Sequence, residues 1–106
     1  MVKSTSTSPA NNNPDFCATR LKTLADDTRL SVVRALMHGP RHVGELMQAL
    51  DVEQSLLSHH LRILREAEIV VAERDGKSVL YRLTPKVTAQ PAAMALDLGC
   101  CQISFD

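Results

Sequence analysis

The chain has no tryptophan, one tyrosine and two phenylalanines in 106 residues, which excludes an aromatic platform for stacking bases. Glycine is scarce, four in all, and none lies in a loop able to cradle a phosphate. An excess of either charge is also missing. The 12 Lys+Arg offset the 12 Asp+Glu, so only the placement of charge can point to a partner. No apolar run is long enough to cross a bilayer, and the first residues lack a signal peptide's hydrophobic stretch. The expectation is a soluble, cytoplasmic protein with no membrane partner. Cysteine is odd in number, three, with Cys100 and Cys101 adjacent. In a cytoplasmic chain that favours free thiols over a disulfide framework.

What is present divides into three stretches. Residues 1–14, MVKSTSTSPANNNP, are small and polar, bury too little apolar surface to order themselves, and are expected to form a disordered tail. Residues 15–84 carry the helical and strand patterns, and residues 85–106 form a C-terminal segment with the vicinal cysteines. A folded part this small has a marginal core alone, so burial against a second copy is expected.

Asn13-Pro14-Asp15 is a helix start, with Phe16, Leu21 and Leu24 as an apolar side. Asp26 and Asp27 can cap a second helix, in which Leu30, Val33, Leu36 and Met37 recur at helical spacing before Gly39-Pro40 ends it. A third helix is predicted from Val43 to Leu50, and a tight link through Asp51, Val52 and Glu53 leads to a fourth, Gln54 to Ala67. At roughly 100° per residue, Gln54, Ser55, Ser58, His59, Arg62, Arg65 and Glu66 share one arc of that helix. Leu56, Leu57, Leu61, Ile63, Leu64 and Ala67 fill the other. Alone, such a wheel describes any amphipathic surface helix. Here the polar arc offers an amide, hydroxyls, an imidazole and arginines, the groups that hydrogen-bond base edges and phosphates.

The hairpin that follows shifts the balance. Ile69 to Arg74 reads as a strand, Asp75-Gly76 as a turn and Ser78 to Leu83 as the returning strand. Arg74, Lys77 and Arg82 on it can reach phosphates beside the groove that the fourth helix enters, diluted by Glu73 and Asp75. The fold class is mainly α with a β-hairpin wing (α+β), a winged helix-turn-helix.

LKTLADDTRLSVVRAL, VGELMQALDVEQSLLSHHLRILREAEIV and ERDGKSVLYRL, together residues 21–83 with two short gaps, resemble the ArsR/SmtB family of metal- and metalloid-responsive repressors. The resemblance implies a homodimer on palindromic operator DNA, released when an inducer binds. Its recognition-helix positions match Gln54, Ser55, Ser58, His59 and Arg62; Arg74 and Lys77 of the wing complete the expected DNA-binding set. The family's Cys-x-Cys at the start of the third helix aligns with His42 and Gly44, so that thiolate site is absent. Its histidine-and-carboxylate site on a C-terminal helix is missing too, since no histidine follows His60.

His60 lies on the apolar arc and reads as a packed histidine with its ring hydrogen-bonded inside the domain. His59 points to another side, and His38 and His42 flank a turn and read as solvated. None has zinc spacing. The candidate metal ligands are therefore Cys17, Cys100 and Cys101. Pro91 argues against one long C-terminal helix, Ala92 to Leu98 is predicted to make a turn or two, and Gln102 to Phe105 to be extended. Gly99 makes cheap the turn needed for both sulfurs to face one ion. The resemblance places the first helix and the C-terminal segment at the dimer interface, so Cys17 of the same or the partner subunit can complete a three-sulfur site. Three thiolates favour soft species: arsenite As(III) first, then Sb(III), Cd(II), Pb(II) or Hg(II). Taken alone, Cys17 reads equally well as a small packed hydrophobe.

Two other readings stand beside the arsenite-released repressor. One keeps DNA binding but makes the trigger thiol oxidation or persulfide formation. The other is a winged-helix module for protein contacts. An enzyme is not expected: Ser58 lies near His59 and His60, but no third group orients either ring and no oxyanion loop is evident.

Overall fold

The computed structural model describes residues 14–105, with side chains from Cys17 onward. The tail expectation for residues 1–13 lies outside the described residues; Pro14 already opens the first helix. Four helices come first: α1 (Pro14–Leu24), α2 (Asp27–Leu36), α3 (Val43–Leu50) and α4 (Gln54–Glu66). Asp26 caps α2 by accepting the Arg29 backbone N–H at 3.0 Å, satisfying one of the donors a helix start leaves open. Glu53 does the same for α4, accepting from the Leu56 N–H at 3.2 Å. Asp51, left-handed at φ 53°, turns the chain between α3 and α4.

Strands β2 (Val70–Asp75) and β3 (Ser78–Leu83) pair antiparallel from Val70↔Leu83 to Asp75↔Ser78. The turn between them uses Gly76 at φ 63°, a value that favours glycine. A two-residue strand, β1 (Arg41–His42), adds to the other side of β3, giving the order β1-β3-β2. Two residues are too few to show a period, so the sequence reading missed it. Together these elements make a winged helix-turn-helix.

The C-terminal segment differs from expectation. Instead of a helical stretch over Ala92–Leu98, a single 3₁₀ turn (Pro91–Ala93) stops at left-handed Met94, and Ala95–Asp97 is extended. It forms the centre of a second antiparallel sheet, β4 (Thr88–Gln90), β5 (Ala95–Asp97) and β6 (Gln102–Ser104). Pairing on both edges of β5, with Ala95 and Leu96 buried, outweighs the weak helix preference of Ala, Met and Leu. The extended reading of Gln102–Ser104 agrees with β6.

One apolar cluster joins all of this. Val32, Val33 and Leu36 of α2, Leu46 of α3 and Leu57, Leu61 and Leu64 of α4 meet Ile69, Val70, Val87, Leu96, Leu98 and Phe105. The C-terminal sheet is therefore packed onto the helical core. Leu56 corrects the wheel: it is 48% exposed. At 100° per residue its direction lies about 90° from the middle of the buried arc of Leu57, His60, Leu61 and Leu64. Among the described residues no helix is long and apolar enough to cross a membrane.

Candidate nucleic-acid interface and sulfur cluster

The polar arc of α4 is open to solvent: Gln54, Ser55, Ser58, His59 and Arg62 are all exposed. Ser55, Ser58, His59, Arg62 and Arg65 line one cleft together with Tyr81 of β3. Tyr81 was not among the sequence candidates. Its signal was the hairpin register, which sets it opposite Ala72, beside the wing's basic residues. Arg74 and Lys77 are exposed on the wing. Arg82 is committed to Glu73, its Nε donating to the carboxylate at 2.9 Å, which removes it from the free cations there. Leu57, Leu61 and Leu64 hold the opposite side of α4 in the core.

His60 behaves as a packed histidine. It is buried, and Arg29 Nη1 lies 3.1 Å from its Nδ1. A guanidinium can only donate, so Nδ1 accepts and the ring proton is assigned to Nε2. The same guanidinium donates through Nε to the Thr23 carbonyl at 2.6 Å, tying α4 to the joint between α1 and α2.

His42 is not simply solvated. Its Nε2 lies 2.7 Å from Asp75 Oδ2 at the wing tip, and its Nδ1 lies 3.2 Å from Glu45 Oε1. Glu45 also accepts the His42 backbone N–H at 2.7 Å, which holds the Glu45 carboxyl below its usual range. The hydrogen bond to Asp75, assisted by Glu45, raises the His42 pKa above its ordinary value despite some desolvation. One imidazole thus fastens the start of α3 to the hairpin turn.

The second locus is a cluster of sulfur. Cys17 of α1 and Cys100 and Cys101 of the β5–β6 loop bring their sulfurs within 4.8 Å of one another. All three come from one chain. The expectation of three free thiols is corrected: Cys17 and Cys100 form a disulfide, and Cys101 is the free thiol. Their Cα atoms, 5.8 Å apart, lie at the usual spacing for a cross-link. The Cys101 sulfur is 3.5 Å from Cys17 Sγ and 3.9 Å from Cys100 Sγ. Gly99, at φ 91°, supplies the turn that puts both vicinal sulfurs on one side. The loop is closed by Leu98 N–H to the Cys101 carbonyl at 2.8 Å and Gly99 N–H to Asp97 Oδ1 at 2.8 Å.

The donor set suits a soft ion once the disulfide is reduced. Two metal–sulfur bonds of about 2.3 Å, as for zinc, hold their sulfurs roughly 3.8 Å apart at a tetrahedral angle, close to the 3.5 and 3.9 Å found here. No imidazole or carboxylate joins the three sulfurs among the described residues, which disfavours hard cations.

Comparison with known proteins bears on the fold and the family. Residues 26–71 match the family described as bacterial regulatory protein, arsR family. The chain is 41% identical over 73 residues to the HTH-type transcriptional regulator NmtR of Mycobacterium tuberculosis, covering 69% of this chain and 61% of that protein. It is 39% identical over 82 residues to the arsenical resistance operon repressor of Escherichia coli, covering 76% of this chain and 70% of that one. Among solved structures, HlyU of Vibrio cholerae superposes with a TM-score of 0.66 at 31% identity, covering 73% of this chain and 82% of its own. The homodimeric winged helix-turn-helix domain of Mb0332 from Mycobacterium bovis gives 0.64 at 29%, covering 68% and 67%.

Proposed function

We infer that this chain, which belongs to the ArsR family of bacterial transcriptional regulators rather than to any class of enzyme, is a homodimeric repressor released from operator DNA when arsenite binds its thiolates. The observation that carries the inducer assignment is the meeting of Cys17, Cys100 and Cys101, 84 residues apart at the extremes, within 4.8 Å. The named role of the Escherichia coli relative in arsenical resistance supports the same choice. In the reduced protein three thiols displace the three hydroxyls of arsenous acid, giving one three-sulfur arsenic centre and three waters, with no change of oxidation state. The DNA-binding set is Gln54, Ser55, Ser58, His59 and Arg62 of α4 with Arg74 and Lys77 of the wing. The α4 residues enter a major groove, with the arginines of that arc within reach of its flanking phosphates, and the wing residues meet phosphates beside it.

A second trigger is favoured by one specific observation, the Cys17–Cys100 disulfide with the Cys101 thiol beside it. Two thiols give up two electrons and two protons to an oxidant such as a peroxide, and the bond they form replaces the metalloid as the signal. Fluorescence anisotropy on an operator duplex separates the two. Under a phosphine reductant, arsenite is expected to release wild type and to leave Cys100→Ser bound. Diamide in place of arsenite tests the oxidative trigger. Wild type that stays bound at saturating arsenite refutes the arsenite assignment.

A further inference from the structure

Arg20 of α1 is fully buried, although arginine is among the residues least often buried without partners. Its position explains the burial. Nη1 donates to the Leu98 carbonyl at 2.7 Å and Nη2 to the Glu68 carbonyl at 2.8 Å. Leu98 begins the loop that carries Cys100 and Cys101, the loop whose closing bond joins Leu98 N–H to the Cys101 carbonyl. Cys17 lies three residues before Arg20 on the same helix, hence on the same side of it. One planar group therefore touches both the segment that holds the vicinal sulfurs and the helix that holds the third.

A second contact is with the end of α4. Glu68 is left-handed at φ 59°. Its N–H bonds the Arg65 carbonyl at 2.9 Å, and the Ile69 N–H bonds the Leu64 carbonyl at 3.0 Å, the paired bonds of a Schellman stop. Here the left-handed position is filled by Glu, not Gly. The Lys86 ammonium grips its carboxylate at 2.5 Å and holds it below the usual carboxylate range. The Glu68 carbonyl points at Arg20. We propose that Arg20 is the positioning residue that transmits the state of the three-sulfur cluster to the C-terminal stop of α4.

The argument is geometric. Two N–H groups of a rigid guanidinium fork hold two backbone carbonyls in fixed relation. Any change in the Cys17–Cys100 sulfur separation, whether a disulfide opens or a shared ligand draws two free thiols together, shifts the 98–101 loop against α1. Leu98 then pulls on Nη1, and Nη2 moves the Glu68 carbonyl with it. Because α4 is a rigid rod of 13 residues, about 20 Å long, a small displacement at its stop re-aims Ser55 and Ser58 at the other end. Lysine keeps the charge but, as a single ammonium on a flexible stem, cannot hold both carbonyls in that relation.

The inference rests on the repressor reading above, and its test is separable from it. Reduced wild type and Arg20→Lys are compared by operator anisotropy with and without arsenite, with arsenite binding followed independently by thiolate absorption. Wild type is expected to lose affinity about 5–150-fold on arsenite binding, the usual range for coupled sites, and Arg20→Lys less than about threefold, with both ligands still bound individually. Arg20→Lys that binds arsenite and keeps the full wild-type loss overturns the proposal. A second measurement needs neither variant nor DNA. The Glu68 and Ile69 amide resonances of wild type are expected to differ between the diamide-oxidised and reduced states. Identical resonances overturn the link even if arsenite releases DNA. A wild type that arsenite does not release, but whose Glu68 and Ile69 amides move, refutes the inducer and supports the link.

Discussion

Removing one wing cation, Lys77→Ala, should change the salt dependence of DNA binding by a calculable amount. Arg62 and Arg65 on α4 and Arg74 and Lys77 on the wing are exposed and make no ion pair among the described residues, whereas Arg82 is paired with Glu73. That leaves four cations per protomer for phosphate, eight in a dimer. If each neutralises one phosphate, log K falls against log salt with a slope of about −7, and raising salt from about 50 to 200 mM weakens binding roughly 10⁴-fold. Lys77→Ala removes two contacts per dimer, so the slope falls to about −5 and the same salt step costs only about 10³-fold. Anisotropy on a fluorescent operator duplex, titrated at four or five salt concentrations, reads both slopes. Arg82→Ala is the control. Its guanidinium is already engaged by Glu73, so its slope should stay near wild type. The reasoning fails if Lys77→Ala leaves the slope unchanged, or if Arg82→Ala lowers it as much.

Two further outcomes follow from the packing. Leu57→Ala, at a site with no solvent exposure, should destabilise by about 2–5 kcal/mol, whereas Leu56→Ala, about half exposed, should cost at most about 0.5 kcal/mol; thermal or urea melts of the two side by side check this. The His42–Asp75 tether should be pH-dependent. A histidine with a raised folded-state pKa contributes stability that is complete below its unfolded value, about 6.5, and lost as pH rises through the folded value. Amide protection factors at the wing tip, taken relative to the intrinsic exchange rate at each pH, should therefore fall between acid and mildly alkaline pH in wild type, and Asp75→Asn should flatten the change. A profile unaltered by Asp75→Asn would exclude the tether.

The helices and the hairpin were legible because each is written locally. Asp26 caps, Gly76 turns, and the leucines of α4 recur at the helical period. Several features were not legible, for different physical reasons. Leu56 sits at the edge of its arc, where a wheel drawn without neighbours cannot say whether the partner surface extends that far. Strand β5 depends on pairing with segments on either side of it, and a three-residue strand carries no period of its own. Arg20 sits in the first helix as an ordinary basic residue. The meeting of Leu98 and Glu68, 30 residues apart, gives its guanidinium two carbonyls to hold. The vicinal cysteines beside Gly99 were suggestive in sequence, but their pairing with Cys17 is a long-range fact. The disulfide followed from no composition rule, because an odd cysteine count says nothing about which two thiols meet.

The claim on which the rest depends is that the exposed arc of α4 is the surface that meets DNA. Titrating an operator duplex into isotope-labelled protein and following backbone amides tests it residue by residue. The largest shifts are expected at Ser55, Ser58, His59 and Arg62, with a second group at Arg74 and Lys77. Shifts confined to the β4–β5–β6 sheet, or no shifts on α4 at saturating duplex, would contradict the account.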